Sequence, residues 1–504
     1  MIQITLAHLL KRCADKFPGK QGLVCEKGRW SFAQWEDNAT RLAGALADLG
    51  VGPGQHVATL FLNGQEVLQT YPALWKLGAV VIPLNTRMTP REMAQVIDHC
   101  QATTLIYGPG FAQAVEEMRG QTPGVERWLA CQPGPDPDLI DLMQRQAPRE
   151  MPIRAREEDV ACILYTAGTT GLPKGVILTH RNCLWAAVNL AQDSQFARHH
   201  RILLVFPLFH AAAFSMVTTS LYLGCTLVSM AQFSPQSVME TVGRERLSKL
   251  AFPPTVWNFI LQLPDLERYD TSSVESISSG GSAMPQETKR KLKELFPRAK
   301  LGETYGMTET AAAITTLGPG EGLGKTSCVG RAFTNLEVLV ADDRGQALGP
   351  GHVGEVVVRG PNVMRGYYRD PEETSRTLKD GWLHTGDLGY LDGEGLLYLV
   401  DRKKDMIISG GENIYPREVE EVLFSHPAVA DAVVIGMPDP VWGERVHGVI
   451  VIKPGEALSE PEIIEFCKSR LATYKKPRSV EFVDSIPRSP AGKALKNKLR
   501  HARS

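Results

Sequence analysis

The 504-residue sequence has almost no net charge, no long apolar run and no clustered cysteines, and each absence excludes a class of protein. Its 55 lysines and arginines balance 56 aspartates and glutamates, so no global basic field attracts nucleic acid or anionic lipid. No stretch approaches the roughly 20 apolar residues that a membrane-spanning helix needs. The hydrophobic fraction of 43% predicts a globular chain with more than one core.

Nine cysteines are spread along the chain, and no two are closer than twelve positions. This spacing argues against a zinc site and against a disulfide framework. Residues 1–11 have apolar side chains at helical spacing without a leading positive cluster, which predicts a docked helix rather than a signal peptide. We therefore expect a cytoplasmic protein with no integral membrane association.

Helical patterns alternate with short β-branched runs up to about residue 330, for example a helix at 90–100 and a strand at 56–61. This alternation of helices and strands is typical of an α/β protein with largely parallel sheets. From residue 337 the pattern changes to strands at 337–341, 354–359 and 390–400 that are separated by Asp/Gly turns. Such a pattern predicts a small antiparallel barrel or sheet.

The chain after residue 405 has the pattern of a separate, smaller unit. Two helices are predicted at 417–424 and 459–471, and two strands at 428–437 and 448–453. We interpret them as an α+β lid of about 100 residues, which is a common domain size. The predicted division is a large domain over residues 1–400, a hinge at 401–405 and a lid at 406–504.

The most informative motif is a loop rich in glycine and threonine, Tyr165-Thr-Ala-Gly-Thr-Thr-Gly-Leu-Pro-Lys-Gly175, between two apolar runs. Glycines let backbone amides close around phosphate oxygens, threonine hydroxyls add donors, and Lys174 supplies charge. A polar hairpin turn is the alternative interpretation. The loop is not the common P-loop, because Pro173 and Gly175 flank Lys174 where that motif requires Gly and Ser or Thr. The β-branched runs on both sides predict a strand–loop–strand unit.

Two further loops carry side chains that suit a nucleotide. Tyr305-Gly-Met-Thr-Glu-Thr310 combines a ring that can flank a purine with a glutamate that can bind Mg²⁺. In Trp382-Leu-His-Thr-Gly-Asp387, the aspartate can accept hydrogen bonds from ribose hydroxyls. Each loop alone could equally be an ordinary turn whose polar side chains form local hydrogen bonds. The interpretation as a nucleotide site therefore depends on the occurrence of both loops together with the glycine-rich loop.

The C-terminal residues 475–504 hold nine lysines and arginines against two acidic residues. A nucleic-acid-binding tail is one interpretation, but few aromatic side chains are interleaved with the charges. A lid that faces the phosphates of a nucleotide explains these charges better than a nucleic-acid-binding tail does. Most of the charge is explained by a solvent-exposed helix face.

Six motifs occur in the order found in the adenylate-forming superfamily of acyl-CoA synthetases, luciferases and nonribosomal adenylation domains, which the chain resembles over nearly its whole length. They lie at 166–175, 305–310, 384–387, 401–405, 410–416 and 487–493. The resemblance implies an α/β fold in which a large N-terminal domain has two α/β subdomains plus a small β-barrel. A mobile, smaller α+β C-terminal domain follows. This agrees with the division predicted above.

The resemblance also implies a set of binding residues. The ATP phosphates would be held by Thr166, Gly168, Thr169, Thr170, Gly171 and Lys174. The adenine side of the site would contain Ser282, Glu303, Thr304 and Tyr305. Thr308 and Glu309 would bind phosphate and Mg²⁺, with Glu309 as the metal ligand, and Asp387 and Arg402 would bind the ribose.

Four further assignments follow from the resemblance. Lys493 would stabilise the acyl carboxylate and the α-phosphate, and Lys404 would be the hinge residue. The loop that lines the thiol tunnel would contain Ser409, Gly410 and Gly411. His210 would stand at the entrance of the acyl pocket, although the sequence alone is equally consistent with a packed core histidine.

One residue departs from the family pattern. Ala167 replaces a serine of the phosphate loop, and we expect the lost hydroxyl to raise the KM for ATP while the other donors keep the loop competent.

These residues predict an acyl-CoA ligase that depends on ATP and Mg²⁺. A carboxylate attacks the α-phosphorus of ATP and releases pyrophosphate, and the thiol of coenzyme A then displaces AMP from the acyl-AMP. The expected partners are ATP, CoA and a small carboxylic acid; no nucleic acid is expected, and a homodimer is left open. The resemblance suggests that residues 202–239 line the acyl pocket. Because this segment contains no Lys, Arg, Asp or Glu, it favours a hydrophobic monocarboxylic acid, with a medium or long fatty acid first.

Several alternatives remain. An aryl or hydroxycinnamate-CoA ligase with a ferulate-like substrate, or a stand-alone adenylation enzyme that loads a carrier protein, would use the same motifs. From other classes, a P-loop ATPase or kinase is disfavoured by the failed Gly-Lys-Ser/Thr pattern, and a nucleic-acid-binding module ranks third.

Overall fold

The computed structural model describes residues 4–147, 151–166, 173–194, 196–281, 284–318, 321, 324–325, 327–488 and 494–501. Its α-helices are α1 Leu6–Lys16, α2 Phe32–Asp48, α3 Gln65–Leu77, α4 Pro90–Cys100, α5 Ala112–Arg119, α6 Leu139–Arg145, α7 His180–Asp193, α8 Ala211–Leu223, α9 Pro235–Arg244, α10 Pro254–Leu261, α11 Gln286–Leu295, α12 Pro371–Thr377, α13 Pro416–Phe424, α14 Glu460–Lys468 and α15 Lys496–His501.

The β-strands of the first half are β1 Gln21–Cys25, β2 Gly28–Ser31, β3 His56–Leu60, β4 Val80–Pro83, β5 Thr104–Tyr107, β6 Arg127–Ala130, β7 Val160–Thr166, β8 Lys174–Thr179, β9 Arg201–Leu204, β10 Thr226–Ser229 and β11 Lys249–Phe252. Those of the second half are β12 Ser276–Gly280, β13 Lys300–Tyr305, β14 Thr315–Leu317, β15 Cys328–Ala332, β16 Glu337–Ala341, β17 Gly354–Arg359, β18 Gly366–Tyr367, β19 Leu378–Lys379, β20 Trp382–Leu391, β21 Leu397–Arg402, β22 Ile407–Ser409, β23 Glu412–Ile414, β24 Val429–Asp439, β25 Gly443–Ile452 and β26 Ser479–Phe482.

The largest sheet changes character along its length. Strands β1, β10, β9, β11, β12 and β13 pair in parallel, which confirms the α/β pattern of the first 330 residues. Beyond β13 the order β14, β15, β21, β20, β17, β16 is antiparallel throughout, as predicted for the region that follows residue 337.

The single strand predicted at 390–400 is wrong, because that segment is a hairpin. It contains the end of β20, a turn and the start of β21. Asp392 makes the turn: its carboxylate accepts hydrogen bonds from the backbone amides of Glu394 and Leu396, both at 2.9 Å. Gly395 completes the turn with a φ of 76°, a value that favours glycine.

A second sheet has the order β18, β8, β7, β4, β3, β5, β6. Five of its strands are parallel, whereas β7 and β8 form an antiparallel hairpin, which confirms the predicted strand–loop–strand unit. The register places Thr166 opposite Lys174, so the two ends of the glycine-rich loop are neighbours.

The largest apolar core connects these two sheets through helices α1, α2, α3 and α8. Trp75 of α3 and Phe214 of α8 pack edge to face with ring centroids 5.6 Å apart, and both are buried. Leu6, Leu9 and Leu10 of α1 lie in the same core, so the first helix is docked as predicted. No described helix has both the length and the apolar character needed to cross a membrane.

A third sheet, in the order β23, β22, β25, β24 with β26 beside β25, has a core of its own. The helix predicted at 417–424 is α13, which begins one residue earlier, and the helix predicted at 459–471 is α14, which ends at Lys468. The predicted strands correspond to β24 and β25, which extend toward each other as one long hairpin. The α+β character of the smaller C-terminal domain is therefore confirmed.

Candidate active site

The hairpin of β7 and β8 supplies the first group of candidate residues. The hydroxyl of Thr166 lies 3.5 Å from the backbone oxygen of Lys174. Gly175 packs so closely that a Cβ atom would meet Ile163 at 2.9 Å and the ring of Tyr165 at 3.0 Å. The predicted Gly168, Thr169, Thr170 and Gly171, and the departure at Ala167, lie outside the described residues.

The side chain of Lys174 contacts two residues that the sequence did not single out. Its ammonium forms an ion pair with Glu373 and lies 5.3 Å from the centre of the Tyr367 ring. Glu373 lies in the first turn of α12, where Asp370 accepts a hydrogen bond from its backbone amide at 2.9 Å. The Asp-Pro-Glu-Glu sequence is a typical helix start, but it carries no sign of the contact with Lys174.

Tyr367 connects Lys174 with the predicted metal ligand. Its hydroxyl donates a hydrogen bond of 2.8 Å to Glu309, whose side chain is buried. Burial, and then the neighbouring Glu309, raise the pKa of the Tyr367 phenol, which therefore remains a donor at neutral pH. Two predicted residues from different motifs are thus brought together by a third residue that sequence reasoning missed.

The loop that carries Thr308 and Glu309 has an unusual backbone. Ala311 and Ala312 have φ values of 47° and 67°, and such left-handed residues cost on the order of 1–3 kcal/mol each when they are not glycine. At Gly306 a Cβ atom would lie 2.3 Å from the carbonyl carbon of Ala312, so this position requires glycine. The loop is folded tightly back on itself.

Two buried side chains hold this loop in place. The amide of Asn362 donates to the backbone oxygens of Thr310 and Ala313, at 2.7 and 2.8 Å. The hydroxyl of Ser215 in α8 donates to the oxygen of Ala311 at 2.6 Å. Because the three acceptors lie within and on both sides of the left-handed pair Ala311 and Ala312, these hydrogen bonds fix the backbone of the loop that carries Glu309.

Three predicted residues from separate motifs meet beside this loop. Tyr305 donates to Asp387 at 2.6 Å, and Arg402 forms an ion pair with the same carboxylate at 2.9 Å. The register of β20 and β21 places Asp387 directly opposite Arg402. Burial and then Asp387 raise the pKa of Tyr305, while the Asp387 carboxylate raises the pKa of Arg402.

Glu303 and Thr304 precede Tyr305 on β13. Glu303 forms an ion pair with Lys289 of α11, and both side chains are buried. Burial raises the pKa of Glu303, although the ammonium of Lys289 opposes the shift. Thr304 is half-buried opposite Thr316, and Ser282 lies outside the described residues.

His210 stands at the N-cap position of α8, with its ring 4.4 Å from that of Phe209. Part of the surrounding segment does not line a pocket, because Phe214, Leu221, Trp257 and Ile260 are buried in the apolar cores. Ala212, in contrast, is exposed between buried Ala211 and Ala213. At the start of α8, beside His210, Ala212 therefore leaves an open face within this segment.

The predicted thiol loop is a tight turn between β22 and β23. Gly410 and Gly411 have φ values of 61° and 87°, and Ser409 before them is buried. The indole of Trp442 covers Gly410 so closely that a Cβ atom would lie 2.7 Å from the ring. Lys493 and the side chain of Lys404 lie outside the described residues.

Two family models match the chain. The model described as AMP-binding enzyme covers residues 10–368, and the one described as AMP-binding enzyme C-terminal domain covers residues 418–493. This chain belongs to the AMP-binding enzyme family. The predicted resemblance to adenylate-forming acyl-CoA synthetases and the predicted fold class are therefore confirmed.

Individual members of the AMP-binding enzyme family are similar over almost their full length. A feruloyl-CoA synthase of Amycolatopsis is 37% identical over 93% of this chain and 93% of its own. A long-chain fatty acid–CoA ligase of Mycobacterium tuberculosis is 36% identical, over 94% and 93%. The structure of ATP-bound MatB from Rhodopseudomonas palustris superposes with a TM-score of 0.91 at 30% identity, over 99% of each chain.

This AMP-binding enzyme is an AMP-forming acid–thiol ligase. Its cosubstrates are ATP and coenzyme A, and it uses Mg²⁺. Its relatives are named for different acids, so they leave the acid open.

Proposed function

We propose that this ligase activates a hydrophobic monocarboxylic acid, a medium or long fatty acid first, and that it acts in the cytoplasm. One observation carries the proposal. The open face beside His210 lies within a segment, residues 202–239, that contains no charged side chain. Burying a second carboxylate there without a cation would cost several kcal/mol, whereas each buried CH₂ contributes about 0.8 kcal/mol.

A flat aryl acid of the hydroxycinnamate kind is the second candidate. Half-buried Phe206 and His210, whose ring is tilted against buried Phe209, offer rings to a planar substrate. The feruloyl-CoA synthase relative supports this candidate, and the fatty acid–CoA ligase relative supports the first.

The proposed reaction has two steps at one site. An oxygen of the carboxylate attacks the α-phosphorus of ATP, and the bond to pyrophosphate breaks. The sulfur of CoA then attacks the acyl carbon, and AMP leaves with the electron pair of the C–O bond. The catalytic contribution of the protein is mainly positioning and charge neutralisation.

Each role in this reaction is assigned to residues of the chain. Lys174, Thr166 and the loop between them bind the phosphates, Tyr305 lies against the adenine, and Asp387 and Arg402 bind the ribose. Lys493 neutralises the acyl carboxylate, and Ser409, Gly410 and Gly411 border the thiol. A hinge at residues 401–405, with Lys404 at its centre, lets residues 406–504 present first Lys493 and then the thiol loop.

The buried carboxylate of Glu309, connected to Lys174 through Tyr367, suits a magnesium–triphosphate complex. It offers an oxygen ligand of the kind that Mg²⁺ prefers, beside an ammonium for the phosphates. When bound, Mg²⁺ would neutralise phosphate charge. Thr308 begins the same turn and adds a hydroxyl.

The test is a kcat/KM series from acetate to dodecanoate, with ferulate and malonate alongside, measured by pyrophosphate release with and without CoA. We expect activity to rise with chain length until the pocket is filled. Preference for acetate or malonate would contradict the proposal, and preference for ferulate would favour the second candidate. Acyl-AMP that forms normally but is never transferred to CoA would indicate a carrier protein as the acceptor.

A further inference from the structure

The segment that carries Lys493 is closed at its base. Arg488 and Ala494 face each other in an isolated antiparallel bridge, and the amide of Leu495 donates to the oxygen of Pro487 at 2.9 Å. Leu499, further along α15, is buried in a small core beneath β24 and β25. The two chain ends that flank residues 489–493 are therefore held together on the C-terminal domain.

An ion pair holds each side of this base. On one side, Arg488 contacts both carboxylate oxygens of Asp431 at 2.7 Å. On the other, the ammonium of Lys496 lies 2.9 Å from Glu420 of α13. Four of the nine basic residues in 475–504 are thus paired within the domain: Lys475 with Glu418, Arg488 with Asp431, Lys496 with Glu420 and Arg500 with Asp405.

The pair of Lys496 and Glu420 is the most enclosed of these, with side-chain exposures of 15% and 17%. Glu420 has a fixed position, because its carboxylate also accepts a hydrogen bond of 2.9 Å from the amide of Val434 in β24. An enclosed pair of this kind has little freedom to rearrange, since separation would leave a buried charge without a partner.

Helix α15 also contacts the segment predicted as the hinge. Burial opposes the charge of Lys496, but the carboxylates of Glu420, Asp401 and Asp405 outweigh burial and raise its pKa. Asp401 in turn accepts a hydrogen bond of 2.9 Å from the amide of Arg417 at the start of α13, and Arg500 contacts Asp405 at 3.3 Å. Helix α15 is therefore attached to both α13 and the hinge segment.

We propose that Lys496 is a positioning residue for Lys493, a role that rests on the proposed function of Lys493 in adenylation. Three residues of chain span at most about 10 Å, so the place of Lys496 limits where the ammonium of Lys493 can lie. A displacement of about 1 Å at a reacting group can reduce a rate about 100-fold. Because Arg500 of the same helix contacts Asp405 at 3.3 Å, α15 also connects that position to the hinge segment.

The test compares Lys496→Met with Lys496→Arg and with Lys498→Met, an exposed lysine on the same helix. We expect Lys496→Met to lower kcat for acyl-AMP formation about 10- to 100-fold, with the KM for ATP and thioester formation from supplied acyl-AMP within about twofold of wild type. Lys496→Arg should restore most of the rate, and Lys498→Met should change neither half-reaction.

Thermal melting of each variant separates a local effect from unfolding. If Lys496→Met loses both half-reactions equally, or loses neither while Lys493→Ala loses adenylation, the positioning role is refuted. If Lys493→Ala retains adenylation, the proposed function of Lys493 fails instead. A Lys496→Glu, Glu420→Lys double variant that recovers adenylation relative to Lys496→Glu alone would support the pair as the acting unit.

Discussion

Tyr367 donates a hydrogen bond of 2.8 Å to Glu309 while its ring lies under the ammonium of Lys174. One aromatic side chain thus touches both the carboxylate proposed to bind Mg²⁺ and the cation proposed to bind phosphate.

Tyr367→Phe keeps the ring under Lys174 and removes only the hydrogen bond to Glu309. A hydrogen bond to a charged group contributes about 1.5–3 kcal/mol, so kcat/KM for ATP should fall at least about tenfold. The saturation curve for Mg²⁺ should shift to higher concentration. Tyr368→Phe is the control, since that hydroxyl contacts exposed Gln101 at 3.3 Å. An unchanged Mg²⁺ curve would contradict the contact with Glu309 as a determinant of metal binding.

Glu373→Gln removes the acidic partner of Lys174. ATP phosphates and Glu373 compete for the same ammonium, and a partly exposed pair of this kind contributes about 0.2–1 kcal/mol. The KM for ATP should therefore fall by a factor of about 1.4 to 5, with kcat little changed. Glu372→Gln, next to it but paired with Arg376, should leave the KM unchanged. A higher KM in Glu373→Gln would mean that Glu373 orients Lys174 instead of competing for it.

Lys289→Met should destabilise the fold. The variant leaves Glu303 as a buried carboxylate without its partner, which typically costs about 3–5 kcal/mol in the free energy of unfolding. Lys291→Met is the matched control on the same helix, because Lys291 is half exposed. Urea denaturation provides the measurement. Adding Glu303→Leu to Lys289→Met should recover most of the loss, and a double variant as unstable as the single one would contradict the ion pair as the cause.

Ala212→Phe should shorten the preferred fatty acid. The added ring would fill the open face at the start of α8, and each CH₂ excluded from the pocket should lower kcat/KM about fourfold. The maximum of the chain-length series should move to shorter acids. Tyr222→Ala, at the exposed far end of the same helix, is the control. A series that keeps its maximum in Ala212→Phe would show that the acyl chain runs elsewhere.

Lys404→Pro tests the hinge. Proline fixes φ and should restrict rotation about this residue, which lies in the short 3₁₀ turn Lys403–Asp405. We expect adenylation to persist and thioester formation to be lost, as measured by separate half-reaction assays. Lys404→Ala removes the side chain without fixing φ and should retain both. Wild-type rates in both half-reactions of Lys404→Pro would refute the assignment of the hinge.

Local patterns in the sequence predicted the parts of the fold that depend on neighbouring residues. The β7–β8 hairpin follows from two apolar runs around a glycine-rich loop, and α4 has the predicted bounds because Thr89 and Glu92 form a capping box ahead of an apolar face. The error at 390–400 has the same local origin: Asp392 to Gly395 is a turn sequence between two strands that had been joined into one.

Contacts between distant segments could not be predicted in this way. Lys174 and Glu373 are 199 positions apart, and nothing in either sequence context indicates the other. The apolar segment around His210 shows a second limit. Core and pocket residues have the same composition, so only the structure distinguishes buried Phe214 from exposed Ala212.

The connection between β17 and β18 has a consequence for protein engineering. The side chain of Asn362 holds the Thr308–Glu309 loop. The backbone amide of Arg365 donates to the oxygen of Ile177, and the backbone amide of Tyr368 donates to the oxygen of Gly175. This short stretch therefore contacts the loops of the proposed nucleotide site, although it follows a strand of the antiparallel sheet. In a chimera that takes the antiparallel sheet from a relative, the breakpoint should lie before residue 360. The connection and the β7–β8 hairpin that it contacts then come from the same parent protein.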